Sequence, residues 1–126
     1  MEISQRIYVQ YLSDDYLGTT GEVFRITSAE DDEVDRTAES PDIFERNGLF
    51  YVTAFNTCGF CNGSLAVVYR SDNISGPWTR QVISERTCGG QIGSVTTIES
   101  GDETTYLAPV DLWGMPEFEM IGMCTY

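Results

Sequence analysis

Histidine and lysine are both missing from the 126 residues, and the seven basic side chains are all arginine. The lack of imidazole excludes Ser-His-Asp and Cys-His nucleophile systems and His-rich zinc sites in one step. General acid-base chemistry therefore falls to carboxylates. Positive charge is scarce as well: twenty acids against seven bases leave a net charge of -13. Phosphates would be repelled at every approach, which argues against a nucleic-acid partner, and an anionic membrane surface would be repelled in the same way. A neutral partner such as a sugar meets no such penalty. No apolar run approaches the roughly 20 residues that span a bilayer. The opening "MEISQRIYVQ" has neither the basic start nor the apolar core of a signal peptide.

Hydrophobic residues make up 41% of the chain, enough for the core of one small domain. They alternate rather than recur at helical spacing. "RIYVQYL" (6–12), "EVFRIT" (22–27), "DIFER" (42–46), "LFYVTAF" (49–55), "SLAVVYR" (64–70), "RQVIS" (80–84), "SVTTIE" (94–99) and "TTYLAPV" (104–110) are short and rich in β-branched and aromatic residues. Gly, Asn, Asp, Ser or Pro bound each of them, so the chain reads as all-β, with turns at "RNGL", "SDNISGPW" and "SGDE". A sandwich, a barrel or a propeller fits strands of this size and spacing. The acidic stretch "SAEDDEVD" (28–35) holds five carboxylates and no base and reads as a solvated loop. The C-terminal "MPEFEMIGMCTY" loses the alternation, which divides the chain into a unit at 1–114 and a tail at 115–126.

Glu39 is the first candidate for chemistry. Pro41 biases Ser40 toward extended geometry and stiffens the approach to the strand at Asp42, so the Glu39 side chain is aimed rather than free. Proton donation needs such placement, together with a pKa near working pH. By pattern alone, a solvated loop glutamate is the commoner occurrence.

The four cysteines, Cys58, Cys61, Cys88 and Cys124, allow three pairings into two disulfides. A Cys-x-x-Cys redox pair usually opens a helix in a βαβ unit, and a zinc ribbon calls for a second close pair. A structural disulfide that ties a loop fits better. Asn62-Gly-Ser and Asn73-Ile-Ser match the glycosylation sequon. Trp78 and Trp113 are of a type that more often plugs a core than stacks on a sugar. Gln91 follows two glycines that would let backbone approach something closely.

Taken in order, "AESPDIFERNGLFYVTAF", "CGFCNG", "VVYRSDNISGPWTRQ", "CGGQ" and "YLAPVDLWG" resemble glycoside hydrolase family 43, the five-bladed β-propeller hydrolases. The branch they look most like is that of the exo-β-1,3-galactanases, and the likeness runs from about Arg6 to Gly114. The resemblance implies a fragment of about two blades, an inverting mechanism, a secreted location, and a polysaccharide or oligosaccharide substrate. It implies no metal and no cofactor. It places Glu39 as general acid and Gln91 at the base position, or as a residue that positions water or substrate. Asp111 and Trp113, in "DLWG", match a substrate-contacting segment, while Tyr69 and Arg70 match a structural pattern.

The sequence also departs from the family. The aspartates that serve the family as base and as modulator of the acid have no counterpart here, and the chain corresponds to the end of a second blade, a third, and most of a fourth. A truncated or degenerate copy with little or no hydrolase activity is the expectation, with self-association through open blade edges. A non-catalytic carbohydrate-binding fragment and a cysteine-stapled structural β-domain are the alternatives.

Overall fold

A computed structural model describes residues 5–27, 33–56, 64–87 and 90–112. The four cysteines, Trp113, Asn62 and the whole of the tail at 115–126 lie outside the described residues. Among the described residues the fold has ten short strands and one helical turn, α1 (Glu33–Arg36).

At its centre is a four-stranded antiparallel sheet of β3 (Ala38–Arg46), β4 (Leu49–Asn56), β5 (Ala66–Ser71) and β6 (Thr79–Ser84), in sequence order. Asn47 and Gly48, with φ of 53° and 72°, close the β3–β4 hairpin. Two successive residues of positive φ match the right-handed twist of the flanking strands, which is why Asn-Gly signals this turn.

The two faces of this sheet divide the core. Val52 pairs with Tyr69 and Ala54 with Val67, so all four side chains share one face. Ile7, Ile26 and Ala38 complete that cluster, with Val9, Val34, Leu65 and Trp78 packed against it. On the other face Phe55 and Ala66, also direct partners, bury against Ile92 and Val110. Fully burying a side chain of the Val or Phe class is worth about 1.5–3 kcal/mol. Neither face of the sheet is left to water alone.

The first face is covered by β1 (Tyr8–Leu12) and β2 (Thr19–Arg25), an antiparallel pair. At its tip the Asp15 carboxylate accepts hydrogen bonds from the Ser13 hydroxyl at 2.6 Å and the Leu17 N–H at 3.0 Å. These bonds, the Ser13 bond foremost, hold the Asp15 pKa below its ordinary value.

Against the second face lies a hairpin in two pieces. β7 (Gly90–Ile92) pairs with β10 (Val110–Leu112), and β8 (Thr96–Ser100) pairs with β9 (Glu103–Leu107). The same interruption occurs in the central sheet, where the register slips between Glu39 and Asp42. In each hairpin the first strand is broken near its start. The leading piece carries Glu39 in one and Gln91 in the other.

Three expectations need correction. One member of the acidic run is not in water: Asp35, within α1, is fully buried, where it accepts from the Tyr69 hydroxyl at 2.5 Å and pairs with Arg80 at 3.0 Å, while residues 28–32 lie outside the described residues. An oppositely charged partner and a hydroxyl donor, both distant in the chain, keep this carboxylate inside. Glu39 and Gln91, expected on loops, lie within β3 and β7, because ladder pairing with Phe55 and with Asp111 captures both. Finally, Ser40 is not extended. Its φ is 52°, in the left-handed region.

Candidate active site

Glu39 opens β3 one residue before the bulge, and the positive φ of Ser40 turns the chain at that point. A serine held in this region stores on the order of 1–2 kcal/mol, since its Cβ crowds the following carbonyl. The bulge offsets the pairing of Glu39 with Phe55 from the register of Asp42–Arg46, and the Glu39 side chain meets Gln91 of β7. Ser40→Gly is expected to leave stability unchanged or to raise it by about 1 kcal/mol, and Ser40→Val to lower it by about 1–2 kcal/mol. Urea-unfolding midpoints of the two variants check this; shifts of the same sign would remove the strain argument.

Gln91 comes to the same place from the second hairpin. Its side chain is largely buried, and its Nε2 donates to Glu39 Oε1 at 3.0 Å. The approach to β7 is held by backbone bonds, with Gly90 N–H donating to Thr87 O at 2.7 Å and Thr87 N–H to Ser64 O at 3.1 Å. Gly90 cannot be larger. A Cβ there would stand 2.0 Å from the Asp111 carbonyl oxygen and 2.8 Å from Val110 Cγ1, so the close pairing of β7 with β10 demands glycine.

Asp111 is the direct cross-strand partner of Gln91 and is exposed. Partners of this kind project from the same face, which puts its carboxylate beside the Gln91 amide. Three of the four side chains singled out from the sequence are therefore neighbours. Trp113 lies outside the described residues.

A second link joins the hairpins, and nothing in the sequence singled it out. Asp42, half-buried just past the bulge, accepts from the Val95 backbone N–H at 2.7 Å. A charge-assisted bond of this length is among the stronger ones. Together with the Glu39–Gln91 contact it ties the two broken strands at two points. Farther along, Phe44 stacks on Tyr51 and meets Tyr106, which carries the Arg46 guanidinium over its ring at 5.1 Å. Tyr69 and Arg80 serve the buried Asp35, so Tyr69 is structural as its pattern implied.

The arrangement can hold a carboxyl group in one orientation at the end of a sheet, with an amide donor on one oxygen. It does not put Gln91 across a sugar ring from Glu39, because direct contact leaves no room for one. Among the described residues, cavities of about 270, 120 and 220 Å³ have neither Glu39 nor Gln91 in their lining. The first of these is an apolar gap between Ala66, Ile83, Ile92 and Ala108, next to Gln91 in sequence through Ile92.

No family model matches the chain, and no curated protein sequence does. Solved structures do match in fold. A GH43 β-1,3-galactosidase solved with galactodeoxynojirimycin superposes with a TM-score of 0.64 at 22% identity, over 80% of this chain and 29% of that one. The exo-β-1,3-galactanase of Phanerochaete chrysosporium, solved with galactose, superposes with a TM-score of 0.57 at 20% identity, over 80% of this chain and 22% of that one. A Glu-to-Ala variant of it solved with β-1,3-galactotriose gives the same figures. At these identities the likeness is one of fold: the chain is all-β and matches a fragment of a β-propeller. The chain spans about a quarter of the length of the structures it matches.

Proposed function

We propose that the chain carries the proton-donor side of a glycoside hydrolase site, with Glu39 as general acid and a β-1,3-linked galactose polymer as substrate. The observation that carries this reading is the Gln91–Glu39 hydrogen bond, between residues 52 positions apart that the galactanase resemblance had marked independently of any structure. The fold likeness to the galactosidases supports the substrate class, and the net charge of -13 suits a neutral polymer. A secreted location accords with both.

In an inverting reaction one carboxylic acid protonates the leaving oxygen while a second group activates water on the opposite face of the ring, the two standing about 6.5–9.5 Å apart. Gln91, at 3.0 Å from Glu39, belongs to the acid's side. Its donor half orients the Glu39 carboxyl, and its carbonyl oxygen and the Asp111 carboxylate are suited to accept from sugar hydroxyls. Water activation falls to a group beyond this pair.

The chain alone is accordingly expected to bind β-1,3-galacto-oligosaccharides and to turn them over slowly or not at all. Calorimetric titration with β-1,3-galactobiose and reducing-sugar release from β-1,3-galactan check this. An absence of binding would remove the sugar reading, and brisk hydrolysis would overturn the one-sided placement. A purely sugar-binding role is favoured by the same direct contact, and persistent absence of turnover in any longer form of the protein would select it.

A further inference from the structure

We infer that Asn73 is an N-glycosylation site, accepting an oligosaccharide from a lipid-pyrophosphate donor. The sequence supplies Asn73-Ile74-Ser75. The structure places this tripeptide in the connection between β5 and β6, with Asn73 and Ser75 exposed and Ile74 buried beneath them. Ile74 anchors the turn while its neighbours face water. Asn73 N–H donates to Ser71 Oγ at 3.1 Å, and Gly76 N–H donates to Asn73 O at 2.8 Å, so the turn is rigid on both sides of the acceptor.

Within the turn the Asn73 side chain is already paired with the hydroxyl that the sequon requires. Ser75 Oγ–H donates to Asn73 Oδ1 at 2.8 Å, and Ser75 N–H donates to the same oxygen at 3.0 Å. Both bonds draw electron density toward Oδ1 and ease loss of a proton from Nδ2. That nitrogen makes no hydrogen bond among the described residues. In the transfer, Nδ2 bonds to the anomeric carbon of the sugar, the bond from that carbon to the pyrophosphate oxygen breaks, and the lipid pyrophosphate departs with the electron pair. The amide gives up one proton, which the departing pyrophosphate takes up directly or through water, and nothing is oxidised or reduced.

The location is compatible with a site at Glu39. Glu39 pairs with Phe55 at one end of the central sheet, whereas Ser71 pairs with Phe50 at the other. At a rise of about 3.4 Å per residue the two ends are roughly 17 Å apart. A glycan on Asn73 therefore stands off the far end of the sheet and leaves the Glu39–Gln91 end open. A functional site of this kind is a property of the turn, and it stands whether or not the chain binds galactose.

Expression of the full chain behind a cleavable secretion leader in yeast tests the inference. Trypsin cuts after Arg70 and Arg80, which isolates Asn73 on its own peptide, apart from Asn62. Glycosidase release of N-linked sugar should convert Asn73 to aspartate in that peptide, with loss of a hexose-rich mass. Ser75→Ala should abolish the conversion, and Ser75→Thr should retain it. Membrane-associated and secreted chains give the same reading, so a failure to exit the cell does not blunt the test. An unmodified peptide in the parent chain, or modification that survives Ser75→Ala, overturns the inference.

Discussion

Asp35→Ala is expected to lower the unfolding free energy by about 3–5 kcal/mol, the loss typical of removing one partner from a buried ion pair. Small domains are held by about 5–15 kcal/mol in all, so the loss is a large fraction of the total. The expectation rests on the burial of Asp35, which has no exposure and whose Oδ1 meets both the Tyr69 hydroxyl and the Arg80 guanidinium, the latter still 27% exposed. Truncation removes the carboxylate that both groups share and leaves a gap at the end of the core cluster. Tyr69→Phe removes the charge-assisted hydrogen bond to Asp35 and should lose about 1.5–3 kcal/mol. Urea titration followed by tryptophan fluorescence measures both, since Trp78 packs against the cluster that contains Tyr69. A loss below about 1 kcal/mol for Asp35→Ala would place the pair with ordinary surface bridges. The effect would also reach the candidate site, because Asp35 fixes the turn that leads into β3 at Ala38 and hence the position of Glu39.

What could be read from the sequence was whatever has a local cause. A short run of aromatic and β-branched residues such as Phe50 to Phe55 announces a strand by composition, and Asn47-Gly48 announces its turn by the φ values that only such residues accept readily. The motif resemblance marks Glu39 and Gln91, whose side chains the structure brings into contact, although each is unremarkable in its own neighbourhood. What stayed hidden depends on partners far along the chain. Asp35 ends a run of acids, and no neighbour says that Arg80 and Tyr69 will fold over it. Asp42 looked like the first residue of a strand, and its bond to Val95 arises only when the second hairpin docks. The rule that proline favours an extended predecessor misplaced Ser40 for a related reason. The register slip in β3 is imposed by pairing with β4, and tertiary pairing overrides a local bias of that size.

These two broken hairpins make the charge on Glu39 a measurable quantity. Galactodeoxynojirimycin, the ligand of one fold neighbour, is an iminosugar whose ring nitrogen is protonated near neutral pH, whereas galactose is uncharged. If Glu39 faces the sugar, its carboxylate forms a charge-assisted bond to the first ligand and an ordinary hydrogen bond to the second. Bonds to charged groups are worth about 1.5–3 kcal/mol, which corresponds to roughly 10- to 150-fold in affinity. Glu39→Gln preserves shape and hydrogen-bonding capacity and removes only the charge. It is therefore expected to weaken galactodeoxynojirimycin about tenfold or more while leaving galactose within about threefold. Gln91→Ala keeps the charge and removes the Nε2 bond that helps to orient Oε1, and should weaken the two ligands alike. Calorimetric titration of the parent and both variants, each first shown to be folded by circular dichroism, reads the difference. Equal losses for the cationic and the neutral ligand on Glu39→Gln would mean that the carboxylate does not meet the sugar ring, and the proton-donor assignment would fall with it.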